Sequence, residues 1–328
     1  MKKAIFFVEG IEHLRFVKPY INLFEKYKLI IEVVSFEDLK LEVNKTKIID
    51  KKDFNEYCLN LNSEYLITTT PGVGNSYFLK SKVYPKSKRP KYIYVFHSLV
   101  SPNEAYSRRS FLGFDYIFSP NETITNQLKL LTKDRTKILT TGYPLLTNNY
   151  YFEEKLETKM KKILIAPSWG EFNLFNNIDL LNNLLEICGI NYEIYLRPHP
   201  MEKIDINSFE NFNNVQLDQN KDMKNLAYYD YLITDWSGIG IEYSILTNKK
   251  TIYLNTVKKK RRKLSFSEKK LVLIEDEIRK TAGIEIKLEE LNKIKKYLES
   301  DITISDHSYI NLIKAPEFNS AKFEFLFK

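Results

Sequence analysis

The sequence predicts two successive α/β units, each built on a parallel sheet with helices on both faces, and three observations predict it. Short apolar runs alternate with helical patterns along the first half. Most of these runs are apolar throughout rather than alternating, the pattern of strands buried on both faces. The same rhythm restarts after a polar, charged stretch from Asn148 to Lys162. A chain of 328 residues suits two domains of about 100–200 residues each. Hydrophobic residues at 43% and aromatics at 14%, mostly Tyr and Phe, allow each half a core that offsets chain entropy.

In order, Lys3 to Glu9 reads as a strand and His13 to Tyr27 as an amphipathic helix. Leu29 to Phe36, Tyr65 to Thr70, Tyr92 to His97, Asp115 to Ser119 and Lys137 to Thr141 read as further strands, with a helix from Asn121 to Leu131. Lys162 to Ala166 opens the second series, followed by strands Tyr192 to Leu196, Val215 to Leu217, Tyr231 to Thr234 and Thr251 to Leu254. Its helices run from Asp179 to Cys188 and from about Gly238 to Leu246. The predicted division is a first Rossmann-like domain over 1–150 and a second over 151–313, with a tail, 314–328, whose aromatic spacing suits packing back on the first domain. Such doubly wound, Rossmann-like units bind ligands beyond the carboxyl ends of their strands.

Composition excludes several classes. Cys58 and Cys188 are far apart, with no CxxC or Cys/His cluster, so neither a disulfide framework nor a metal site is expected. The run Ala4 to Val8 stops at Glu9, too short for a signal sequence, and no segment approaches the ~20 apolar residues of a membrane span. A cytoplasmic protein is the expectation. Of the net charge of +8, six charges lie in Lys258 to Lys263, so the rest of the chain carries only +2. A single basic run without interleaved aromatics argues against a nucleic-acid binder. It suits an anionic membrane surface, at about 1 kcal/mol per Lys or Arg, or a solvated loop. No DxD, HExxH or P-loop occurs, which argues against an obligatory metal site, metalloprotease or ATPase chemistry and leaves a divalent cation such as Mg2+ without a dedicated site.

The residues directly after the strands carry the chemistry. Arg197-Pro198-His199-Pro200 aims a guanidinium and an imidazole in one direction, a pair suited to a phosphate or pyrophosphate, and a packing His beside an Arg on a surface carboxylate is the plainer reading. Asp235-Trp236-Ser237-Gly238-Ile239-Gly240 leads into a helix whose N-terminus can seat phosphate, although Asp and Ser also cap helices routinely. Glu242, one turn in, could meet a ribose or acceptor hydroxyl or simply solvate its face. Ser168 and Trp169 offer a hydroxyl and a stacking ring, unless Trp169 is core. His97 ends a strongly apolar strand and precedes Ser98 and the basic pair Arg108-Arg109; with an ordinary pKa near 6.5 it can take a proton, or be a satisfied core His. Pro71-Gly72-Val73-Gly74-Asn75 lacks a full GxGxxG. No role is assigned to His13 or His307.

Taken in order, Phe96-His97-Ser98, Gly142-Tyr143-Pro144, Ala166-Pro167-Ser168-Trp169, Arg197-Pro198-His199-Pro200 and Thr234-Asp235-Trp236-Ser237 resemble the CDP-glycerol glycerophosphotransferases that build teichoic acids and related capsule polymers. The resemblance runs from about Tyr65 to Thr256 and implies a GT-B-like pair of domains facing a central cleft. It implies transfer of a polyol phosphate, glycerol phosphate from CDP-glycerol first, to a hydroxyl of a surface glycan or lipid-linked acceptor, with CMP leaving. It makes His97 the base and puts Arg197, His199 and Ser237 on the donor's phosphates; on their places after the strands, His199 is also counted as catalytic, Gly238, Asp235, Ser168, Trp169 and Glu242 join the donor side, and Ser98, Arg108 and Arg109 the acceptor side. Two departures stand out: Gly238 where the family commonly has a second Ser, and Ser98 where it has Gly. Lacking the long N-terminal extension of the large polymerases, the chain is expected to be a compact capsule or surface-glycan enzyme, peripheral at the inner membrane face. A nucleotide-sugar glycosyltransferase of the same fold is the alternative.

Overall fold

The computed structural model describes residues 2–39, 46–73, 89–133, 136–143, 145, 160–171, 173–199, 202, 204, 205, 209, 211–218, 223–258, 271–300, 302–305, 307, 308, 313 and 320–327. Two compact units result. One holds Met1–Asn148 with the C-terminal Lys314–Lys328, the other Asn149–Lys260 with Val272–Ile313. The division expected near residue 150 falls among residues outside the described set.

The first unit carries a seven-stranded sheet of β1 (Lys3–Val8), β2 (Ile30–Ser35), β3 (Thr46–Ile48), β4 (Tyr65–Thr68), β5 (Lys91–Val95), β6 (Tyr116–Ser119) and β7 (Lys137–Thr140). The strands are all parallel and lie in the order β3-β2-β1-β4-β5-β6-β7. Helices α1 (Ile11–Lys26), α2 (Phe54–Leu59), α3 (Pro102–Ala105) and α4 (Glu122–Thr132) connect them. The run Ala4 to Val8 is buried on both faces, as its unbroken apolar sequence requires. α1 buries Leu14, Val17, Tyr20, Ile21 and Phe24, the three-to-four spacing of a core-facing stripe. It ends where Lys28 takes a left-handed φ of 59°. Local chemistry starts α4, since the Asn121 side chain accepts from the Ile124 amide at 2.8 Å.

The C-terminal turn Glu324–Phe327 packs on this unit. Phe327 stacks on Tyr27 at 4.0 Å and meets Phe24 edge-on, while Phe323 lies against Tyr20 and Phe118. At about 1.5–3 kcal/mol for each fully buried aromatic or aliphatic side chain, Phe323 and Leu326, both buried, tie the chain end firmly to the sheet it began.

The second unit carries β8 (Lys161–Ile165), β9 (Tyr192–Leu196), β10 (Val215–Leu217), β11 (Tyr231–Thr234), β12 (Thr251–Leu254) and β13 (Gly283–Ile286), parallel and ordered β10-β9-β8-β11-β12-β13. Its helices are α5 (Ile178–Cys188), α6 (Ile239–Thr247), α7 (Ile274–Thr281) and α8 (Lys293–Leu298). Ile163, Ile165, Ile194, Ile233 and Ile252 form the middle of its core. Cys58 and Cys188 are free and buried.

Two strands lie beyond the sequence reading. β3 is three exposed residues, and β13 (GIEI) contains a glycine and a glutamate, so neither shows an apolar run. Both are edge strands defined by the neighbours they pair with, β2 and β12. In each sheet the strand order reverses once, between β1 and β4 in the first and between β8 and β11 in the second. These switch points are where doubly wound sheets open a crevice at their carboxyl edge.

Candidate active site

At the second switch point one carboxylate joins the two loops. Asp235, directly after β11, accepts from the Ser168 amide at 2.7 Å and from the Ser168 hydroxyl at 2.8 Å, one bond to each oxygen. Thr234 beside it donates to the Ala166 carbonyl at 2.6 Å. Asp235 is 1% exposed, and burial pushes its carboxyl above the ordinary range although the bonds from Ser168 oppose this. Asp235 and Ser168 are both expected on the donor side. They face each other, and Asp235 holds the loop in register.

That loop carries Trp169, whose ring lies 5.9 Å from the His199 ring at 35°. The Gly170 amide, at φ 113°, donates to Glu202 at 2.7 Å, tying the loop after β8 to the loop after β9. His199 therefore packs against an aromatic face despite its flanking prolines, of which Pro200 lies outside the described residues. Arg197 donates through Nε to the buried Asp218 after β10 and sits 5.9 Å over Tyr229. The plainer reading of Arg197, on a carboxylate, is the one observed, with the carboxylate buried rather than on the surface. The pair fixes the stem of the guanidinium at the carboxyl end of β9.

Ser237 and Gly238 precede α6, and Gly238 is its N-cap. With Asp235, Trp236, Ile241, Tyr253, Glu275 and Arg279, Ser237 lines a shallow hollow that opens to solvent. Glu242 is buried in the first turn of α6, not on a solvated face. Sequence reasoning missed Trp236 and Arg279. Arg279, from the last turn of α7, is 2% exposed and donates to the Asp235 carbonyl at 2.7 Å, to Asn255 and to Glu285. Its guanidinium lies 4.0 Å over the Trp236 ring, and Lys258 sits 4.7 Å from the same ring while pairing with Asp276 at 2.9 Å. The rest of the basic run, 259–263, lies outside the described residues. Nothing in the IEDEIRKT sequence of α7 marks Arg279 as buried, because its surroundings come from strands far along the chain.

At the first switch point the groups are imidazoles and hydroxyls. His97 follows β5, with its ring against Phe16 at 5.3 Å and its Nδ1 3.4 Å from the Tyr94 hydroxyl. The ring of His13, on α1, meets it edge-on at 5.3 Å. His13, to which the sequence assigns nothing, shares a hydrogen bond of 3.0 Å between Nδ1 and Thr69 Oγ1, and so spans the gap between β1 and β4. Burial pushes His97 down to about 3, helped by His13 and Arg15 and opposed by a hydrogen bond to the Val95 carbonyl. His97 is thus neutral at cellular pH. Ser98 accepts from the Val100 amide at 3.2 Å, a local turn contact. Arg108 and Arg109 lie on the turn Arg108–Ser110, whose Ser110 carbonyl accepts from the Gly72 amide at 2.7 Å. Gly72 has a φ of 82°, and Gly74 and Asn75 of the same loop lie outside the described residues, as does Pro144. Tyr143 donates to the His97 carbonyl at 3.4 Å. Among the described residues no group of three His, Cys, Asp or Glu could hold a metal ion, and no helix is long and apolar enough to cross a membrane.

Comparison with known proteins gives a consistent result. The profile of the CDP-glycerol:poly(glycerophosphate) glycerophosphotransferases matches residues 14–263. A teichoic acid glycerol-phosphate primase of Bacillus subtilis is 28% identical over 239 residues, 61% of this chain and 58% of that protein. A teichoic acid poly(glycerol phosphate) polymerase of Staphylococcus epidermidis is 31% identical over 157 residues, 40% of this chain and 22% of that protein. The chain thus spans less than two thirds of either relative. Among solved structures, the wall teichoic acid polymerase TagF soaked with CDPG superposes with a TM-score of 0.65 at 17% identity, covering 99% of this chain and 86% of that one. At that identity the likeness shows the GT-B-like fold.

Proposed function

The chain belongs to the CDP-glycerol:poly(glycerophosphate) glycerophosphotransferase family, and from that premise we propose that it transfers glycerol phosphate from CDP-glycerol to a hydroxyl of a surface glycan or lipid-linked acceptor. The observation that carries this reading is the match over residues 14–263, which includes the strand-end residues His97, Ser168, Arg197, His199 and Ser237. Both curated relatives named above act in teichoic acid synthesis by their descriptions.

The reaction follows from the chemistry of the residues. The acceptor oxygen forms a bond to the β-phosphorus of the donor, the bond from that phosphorus to the bridging oxygen breaks, and CMP leaves with the electron pair. His97 takes the acceptor proton; being neutral it has a lone pair to offer. Arg197, His199, Ser237, Gly238 and the first amides of α6 meet the diphosphate, with Trp169 stacking beside His199. Asp235 and Ser168 act by holding these loops, and Asp218 by orienting Arg197. Glu242, buried in the first turn of α6, belongs with the donor-side residues. Ser98, Arg108 and Arg109 face the acceptor. The work happens in the cytoplasm at the inner membrane face, with Lys258–Lys263 on anionic lipid.

The test is to incubate the protein with a panel of CDP-alcohols and sugar nucleotides and an acceptor, and to measure which nucleotide appears. CMP from CDP-glycerol is the expected product. UDP or GDP from a nucleotide sugar would make the protein a glycosyltransferase of the same fold. For the membrane assignment, anionic liposomes should bind the protein and lose it when the six basic residues are neutralised.

A further inference from the structure

His13 has no part in the reaction as written, yet it occupies the switch point of the first sheet. Its ring is wedged between Thr69, bonded at 3.0 Å, and His97, met edge-on at 5.3 Å and 68°. Phe16, three residues on along the same helix face, closes another side of the His97 ring at 5.3 Å. Tyr94 stands 3.4 Å from Nδ1 of His97, and Tyr143 bonds its carbonyl. The His97 ring therefore has a set plane, and His13 forms one wall of it.

Two imidazoles in contact do not both take a proton, because a charge on one repels a charge on the other. The charged and titratable groups facing the pair are Glu9 at the end of β1, Glu12 and Arg15 on α1, and Tyr94 on β5. Glu12 lies 3.9 Å from Nε2 of His13, and both carboxylates favour a proton on His13, whereas Arg15 disfavours one on either ring. The first proton thus goes to His13, leaving His97 bare.

We propose that His13 is a positioning residue for His97: its edge fixes the plane of the His97 imidazole, and its place beside that ring disfavours a charge there, so that the ring meets the acceptor hydroxyl with its lone pair bare. The proposal rests on the reading of His97 as the base, so the test separates the two. The chain has only four histidines, and long-range proton–nitrogen NMR can follow each ring, with circular dichroism marking the folded pH range. The expected wild-type midpoint for His97 is about 3. His13→Phe keeps an edge-on ring without a proton and should raise that midpoint by about one pH unit; His13→Gln should raise it likewise and serves if the Phe variant does not fold. In CMP-release kinetics the acid limb of kcat/KM should move up with the midpoint, with donor KM unchanged. His13→Ala, which removes the wall, should lower kcat by about tenfold or more, and His13→Phe should restore it. An unmoved His97 midpoint, or a wild-type midpoint near 6.5, overturns the pair. A midpoint that moves while the kinetic limb stays still instead removes His97 as the base.

Discussion

The two switch points share a topology and differ in what bridges them. Between β1 and β4 the bridge is an imidazole on a hydroxyl, His13 on Thr69, walled by Phe16, Tyr94 and His97. Between β8 and β11 it is a carboxylate gripping one serine twice, Asp235 on Ser168, with Arg197 and Arg279 close by on the same sheet edge. The first arrangement is uncharged at neutral pH and suits the handling of a neutral hydroxyl group. The second sets fixed cations and a helix N-terminus around its bridge and suits anions. One scaffold thus supplies two chemistries by changing only the residues after its strands.

Kinetics should show the largest contrast. His97→Ala should lower kcat for CMP release by about 10²–10⁴ while donor KM holds, because general base groups contribute that much. Arg197→Ala and His199→Ala should lower kcat/KM comparably and raise donor KM as well. If His97→Ala also raises donor KM by the same factor, the division of labour between the two units is wrong.

Next comes the cation at the centre of the second site. Arg279→Met strands the carbonyls of Asp235 and Leu254 and leaves Trp236 without its stacked guanidinium. Buried acceptors left unsatisfied cost about 1–3 kcal/mol each when water cannot reach them. A loss of about 3 kcal/mol in urea unfolding of the second unit is expected, with the first unit's transition unchanged. A stability within about 0.5 kcal/mol of wild type would mean that Arg279 is held for its charge alone.

What the sequence disclosed follows from how local each cause is. Apolar runs such as Ala4 to Val8 and Tyr231 to Thr234 announce buried parallel strands by themselves, so the two sheets and their carboxyl edges were legible. The strand-end places of Arg197, His199, Ser237 and His97 were legible for the same reason, since each follows such a run. His13 was not, because its place depends on a bond to Thr69 across 56 residues. Arg279 was not, because a basic residue in the last turn of a helix looks like ordinary dipole pairing until Trp236 and the β12 carbonyls surround it. Asp235 looked like a cap or a ligand, and only the neighbouring strand reveals that Ser168 takes both of its oxygens.

A smaller effect is expected where α6 begins. A Cβ on Gly240 would lie 2.6 Å from the Tyr253 hydroxyl and 2.8 Å from its ring. Gly240→Ala should therefore destabilise the second unit by about 1–3 kcal/mol through overpacking. Tyr253→Phe removes the nearest atom but not the ring, so the double variant should recover only part of the loss. Full recovery would show that the hydroxyl alone makes the contact. The first site has no counterpart to this close approach among the glycines compared, since a Cβ on Gly10 meets only side-chain carboxylates that can swing away.

The subtlest contrast is the sign of the pH dependence. His97 and His13 have folded-state pKa values below the ordinary 6.5, so below that pH the unfolded chain binds protons that the folded one refuses. Their contribution to stability is present above pH 6.5 and is lost as the pH falls. Asp235 runs the other way: its folded value lies above 3.8, so the folded chain holds a proton that the unfolded one releases, and stability declines as the pH rises from 3.8 through that folded value. Urea midpoints from pH 4 to 8 should then separate the sites. His97→Phe should flatten the loss on the acid side. Asp235→Asn should flatten the loss above pH 3.8, because an amide can still accept from the Ser168 amide and donate to its hydroxyl, remaking both bonds without a buried charge. Changes of slope in the same direction for both variants would show that the two switch points do not differ in charge as their bridging residues require.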